Sequence, residues 1–239
     1  MEHEHTPEAI RARLAGSPPT SYLRDWVYGG IDGSVTTFAV VTGVGGAELS
    51  IRIILILGIA NLLADGFSMA ASNYLGTRTE RQEEDALRAR ESRHIRADAA
   101  GEREEVRQIF AAKGFAGDGL EQAVATVTSD DDRWIDFMLA EEYGLARAIR
   151  SPSAAALATL SAFILCGLVP LLPFLFRMPH SYPLSVAMTA CAFFLIGSAR
   201  SRWLLLSWWR AGLETLAMGT VAASIAYGAG VLIARIATP

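Results

Sequence analysis

The chain has 239 residues, 51% of them hydrophobic and 19% charged, with 21 glycines, and its mean hydropathy is +0.29. That balance excludes a disordered, solvating chain, and so many apolar residues cannot all hide in one soluble core of this size. A net charge of −4 carries no basic footprint for nucleic acid, and the two cysteines, Cys166 and Cys191, sit in apolar runs that form neither a disulfide framework nor a CxxC metal site.

Residues 1–24 read as an N-terminal cytoplasmic segment. His3 and His5 lie between acids, where they bind metal loosely or belong to a tail ahead of a short amphipathic helix. No apolar stretch typical of a cleavable signal peptide occurs there. Five segments then approach the roughly 20 apolar residues that a bilayer crossing needs. They are Trp26 to Ala47, Ile51 to Leu75, Ala154 to Phe176, Leu184 to Leu206 and Gly212 to Ile236. The first is rich in Gly and Thr and holds Asp32; the second holds Asn61 and Asp65. The expected organisation is transmembrane helices 1–2 over residues 25–77, an insert over 78–150 and helices 3–5 over 151–239.

Residues 78–150 have a different composition, with 12 basic and 17 acidic side chains. The pattern predicts a helix from Arg78 to Ala112, breakers at Lys113-Gly114 and Gly117-Asp118-Gly119, a second helix from Leu120 to Val127, and a third from Asp131 to Arg147. Asp130 or Asp131 is the expected N-cap of the third. With the N-terminus inside, 18 basic residues fall on the inner side, and only Arg52, Arg177 and Arg235 lie outside. This places the insert in the cytoplasm and the C-terminus outside. Twenty of the 21 basic residues are arginine, a bias that associates with a GC-rich bacterial source and hence an inner membrane.

Two groups of residues carry chemistry. A charge at the centre of a span costs from about 3 to more than about 10 kcal/mol, so Asp32 and Asp65 either cap helix ends or line a water path. A carboxylate on such a path binds a proton or a metal, and that competition is what an antiporter requires. Asn61 and Met69 sit four residues before and after Asp65, on nearly one helical face. In the insert, at about 100° per residue, Glu91, His94, Asp98, Glu102 and Glu105 fall within an arc of about 80°. Acidic residues on a helix usually form a solvated face. Here Arg88, Arg93, Arg96 and Arg103 fall off the arc, and an undiluted acidic stripe repels itself unless a cation or partner neutralises it. On the third insert helix either Met138 with Glu142 or Met138 with Glu141 is spaced to face the stripe, or Met138 joins Trp134 and Phe137 in a small hydrophobic core. Carboxylate, imidazole and thioether together suit Fe²⁺ or Mn²⁺ better than Ca²⁺ or Mg²⁺. Glycines at four-residue spacing, such as Gly29 and Gly33, allow close helix packing, including at a dimer interface.

The segments DGSVTTFAVVTGVGG, NLLADGFSMAASNYLG, WIDFMLAEEYGL and CGLVPLLPF together resemble the vacuolar iron transporter family, over residues 22–236. The resemblance implies an all-α membrane protein with five transmembrane helices and a cytoplasmic three-helix metal-binding domain inserted between helices 2 and 3. It implies a homodimer that moves Fe²⁺, and often Mn²⁺, out of the cytosol in exchange for protons, with no prosthetic group. By position it makes Asp32 and Met69 path residues, and Glu91, Glu102, Glu105, Met138 and Glu142 metal ligands. Asn61 stands where some relatives have Glu. His94 replaces a Glu, Leu139 a Met and Ser21 a Glu, while Asp25, one turn on, fits as a first-helix ligand. Nitrogen at position 94 favours Fe²⁺, Co²⁺ or Zn²⁺ over Mn²⁺. A membrane-anchored sensor or storage protein is the alternative, and a channel would show flux without proton coupling. A ferroxidase is disfavoured, because di-iron bundles use two Glu-x-x-His pairs and only Glu91-x-x-His94 is present.

Overall fold

A computed structural model of the chain describes residues 6–15, 21–145, 150–201 and 207–237. His3, His5 and the expected ends of two helices at Arg147 and Leu206 fall outside them. The described residues are helical, in the order α1 (Pro7–Ala15), α2 (Leu23–Gly46), α3 (Ile51–Ala97), α4 (Ala99–Ala112), α5 (Gly117–Val127), α6 (Asp131–Glu141), α7 (Pro152–Leu168), a 3₁₀ turn (Val169–Leu171), α8 (Leu172–Leu175), α9 (Ser181–Arg200) and α10 (Trp208–Ala237). The chain forms two compact units. One is built from residues up to Leu75 and from Pro152 onward, the other from Gly76–Ser151.

Four helices of the described residues are long and apolar enough to cross a membrane: α3, α7 with its extension to Leu175, α9, and α10 as far as Ile236. The fifth expected span, α2, has the length but not the hydropathy, because Gly, Ser and Thr dilute it. Three of its hydroxyls bond within the helix, whereas the buried Thr37 Oγ1 has no hydrogen-bond partner among the described residues. Ser34 donates to the Gly30 carbonyl, Thr36 to that of Asp32 and Thr42 to that of Phe38, each at 2.9 Å.

In the first unit α2 packs against α7, α9 and α10. The glycines make this close approach possible: a Cβ on Gly33 would collide with the Phe163 carbonyl of α7, and one on Gly230 with the Gly43 carbonyl. The core below contains Phe38, Val41, Val44, Ile54, Leu171, Phe174 and Phe193, with Phe38 edge-on to Phe193 at 6.4 Å. Pro170 and Pro173 convert the end of the third span into the 3₁₀ turn and α8. Ser185 donates to the Pro170 carbonyl at 2.6 Å.

In the second unit the expected helix 78–112 is interrupted. Asp98 leaves helical geometry (φ −147°, ψ 72°) and caps α4 by accepting from the Gly101 N–H at 2.9 Å. Four helical segments therefore replace the expected three. The α4 terminus follows the Gly114 signal (φ +94°), with the Phe115 N–H reaching the Phe110 carbonyl at 3.1 Å. Asp130 caps α6 through the Arg133 N–H at 2.9 Å. That helix stops at Glu141, earlier than expected, because Gly144 turns left-handed (φ +66°). Ile95, Val106, Val124, Trp134, Ile135, Met138 and Leu139 form the core. Arg107 clamps α5 by two hydrogen bonds to Glu121 at 2.9 and 3.0 Å.

Candidate metal centre

The last turns of α3 present Glu91 and His94 one turn apart. The break at Asp98 re-aims the chain, and the first turn of α4 brings Glu102 to meet them. His94 Nδ1 lies 3.7 Å from Glu91 Oε1 and 3.5 Å from Glu102 Oε1. One ligand atom from each of the three residues falls within 4.8 Å of the others. Glu91 is 1% exposed and Glu102 8%, whereas the His94 side chain is 51% exposed. Tyr143, just beyond α6, donates its hydroxyl to Glu91 Oε1 at 3.0 Å. The second oxygens, Glu91 Oε2 and Glu102 Oε2, are buried without a hydrogen-bond partner among the described residues. Burying a carboxylate oxygen without a donor costs several kcal/mol (about 1–3 or more). A protonated His94 would offset one negative charge and still leave both oxygens unmet. A divalent cation would answer both.

Glu105 and Glu142 add to the negative field. Burial first, then the Glu105 and Glu91 charges, push the Glu102 carboxyl above the ordinary glutamate range, opposed by His94. Burial, then Glu91 and Glu105, raise Glu142 against the pull of its Tyr143 hydrogen bond and of His94. Tyr143 is itself pushed up to about 12, by burial first and then by its bond to Glu91. A carboxyl raised in the folded state holds its proton longer than in the unfolded chain. These carboxyls therefore stabilise the metal-free fold most below the unfolded glutamate value of about 4, and that contribution falls as pH rises through the raised folded values. Metal must displace those protons, so its affinity rises over the same window. Melting curves with and without Mn²⁺ across that range are expected to diverge as pH rises. Parallel curves would place the cation elsewhere.

Not every expected ligand joins the cluster in the same way. Asp98 lay on the stripe only if the helix were continuous; its carboxylate caps α4 instead. Met138 is fully buried in the small core beside Trp134 and Leu139. Tyr143 was missed, because nothing local marks it as a partner of a residue 52 positions away.

In the first unit, Asp32 and Asp65 are each half-buried. Asn61 Nδ2 is buried without a hydrogen-bond partner among the described residues, and Met69 is half-buried. Asp25, the expected first-helix ligand, is 6% exposed and accepts from Asn73 Nδ2 at 2.9 Å. That amide also reaches the Ala155 carbonyl at 3.2 Å and Thr159 Oγ1 at 2.7 Å, a link joining α2, α3 and α7 that the sequence reading did not single out.

The chain is 31% identical to vacuolar iron transporter 1 of Arabidopsis thaliana, covering 86% of this chain and 83% of that one. It is 30% identical to vacuolar iron transporter 1 of Eucalyptus grandis, over 86% and 84%, and 26% identical to the vacuolar iron transporter of Toxoplasma gondii, over 90% and 75%. Residues 23–231 match the model of the VIT family, and a match over that much of its length means that this chain belongs to the VIT family.

Proposed function

We propose that this protein is a divalent-metal/proton antiporter that exports Fe²⁺, and Mn²⁺ less readily, from the cytoplasm. The observation that carries the reading is the pair of buried carboxylates whose second oxygens have no donor, facing His94 within ligand distance. In this reading α2 is the fifth membrane helix, with Ser34, Thr36 and Thr42 bonded to their own helix and Asp25 bonded to Asn73 of α3. The acidic unit lies in the cytoplasm of a bacterial cell, the C-terminus lies outside, and the working form is a homodimer. Glu91, His94, Glu102, Glu105 and Glu142 capture the ion, with Met138 beneath them. Asp32, Asn61, Asp65 and Met69 line the route outward, and Asp32 exchanges metal for a proton. The imidazole nitrogen tilts preference toward Fe²⁺, Co²⁺ and Zn²⁺. The protein is a transporter, not an enzyme.

Flux in proteoliposomes, with and without a pH gradient and with internal pH recorded, tests this. Metal movement coupled to opposite proton movement is the expected result. Metal binding without flux, in protein shown to be folded and inserted, would favour a sensor or storage role. Flux indifferent to the gradient would favour a channel.

A further inference from the structure

At one end of the first unit, a cavity of about 480 Å³ opens between the start of α2 and the end of α9, lined by Ser21, Leu23, Arg24, Val27, Tyr28, Ile31 and Arg200. Its chemistry is divided. Leu23 and Ile31 pack on a small apolar floor of Val27, Cys166 and Ile196. Arg24 and Arg200 supply two guanidinium groups. Glu214 holds Arg200 through one Nη at 2.6 Å, while the buried Arg200 Nε has no hydrogen-bond partner among the described residues. At the start of α2 the Leu23 N–H donates to Ser21 Oγ at 3.3 Å. The carboxylate of its first turn, Asp25, is buried and accepts from Asn73 of α3. Exposed Trp26, Tyr28, Trp208 and Trp209 gather near the starts of α2 and α10, and such aromatics sit at headgroup depth in a membrane.

We infer that this cavity binds an anionic phospholipid, its phosphate at Arg24 and Arg200 and an acyl chain along Leu23, Val27 and Ile31. Basic pockets between membrane helices suit such headgroups. The inference rests on these helices lying in a bilayer and not on the transport reading, so either can fail alone.

The purified full-length chain in detergent is titrated with phosphatidylglycerol, phosphatidylcholine or inorganic phosphate, with native mass spectrometry and melting temperature as readouts. Phosphatidylglycerol is expected to stay bound and raise the melting temperature, and phosphatidylcholine to do neither. Arg24→Gln should weaken phosphatidylglycerol binding roughly fivefold, with Arg24→Lys retaining most of it. Val27→Trp should weaken it by filling the cavity without removing charge, and Arg52→Gln, at the start of α3, should leave it unchanged. Arg200→Gln breaks the Glu214 pair and can disturb folding, so Arg24 and Val27 carry the decision. Equal retention of both lipids, an Arg24→Gln chain that binds like the parent, displacement by inorganic phosphate alone, or a second copy covering the cavity would each overturn the inference.

Discussion

The Glu91→Gln/Glu102→Gln chain is expected to bind Fe²⁺ and Mn²⁺ at least about a hundredfold more weakly than the parent. Loss of a residue that only supports a ligand already costs about 10–100-fold in metal affinity, and this change removes both buried anionic ligands. Glutamine keeps the shape and the Tyr143 partner, so the packing of Ile95, Val106, Trp134 and Met138 around it persists. Stability without metal should hold or rise, because two like charges facing each other in a buried site are removed. Titration calorimetry with Mn²⁺, paired with melting curves, checks both halves. Unchanged affinity in a folded variant would refute the metal-centre assignment, whereas loss of both affinity and folding would assign the pair a structural role.

The second large effect is expected at Asp32. Asp32→Ala should lower proteoliposome flux by more than about tenfold while leaving the affinity of the whole chain for Mn²⁺ near the parent value. A carboxylate in a membrane helix costs several kcal/mol (about 3 or more), so one half-buried in α2 needs a use. The Thr36 hydroxyl is bonded to the Asp32 backbone carbonyl, not to its side chain, so the substitution leaves that bond in place. Full flux in Asp32→Ala would remove this residue from the path. Loss of flux together with loss of metal binding would mean that the two sets of residues do not act separately.

Several features were legible along the chain itself. The all-helical class, the apolar spans and the acidic insert follow from composition summed over 20-residue windows, and hydrophobic transfer is close to additive over such a window. The spacing of Glu91 and His94 also follows, because one helical turn is a local rule. The Asp130 cap and the Gly114 stop are short-range signals of the same kind. Asp98 has the short side chain that favours an N-cap, but nothing around it marks a helix start. The break there went unread because helix-forming residues continue on both sides.

What the tertiary structure decided is which distant groups meet. Glu102 reaches His94 because α4 restarts at a new angle after Asp98, not because both lie on one continuous stripe. Tyr143 turns back to Glu91, and Asn73 joins Asp25 to Thr159, across separations of 48 to 86 residues. Periodicity along the chain says which face a residue occupies but not what is packed against it. The unmatched oxygens of Glu91 and Glu102 likewise come into being only when folding excludes water from them. Local chemistry along the chain sets the helices, the apolar spans and the kinds of ligand available. Packing alone decided which ligands share a site, because burial and partner geometry are properties of the assembled helices.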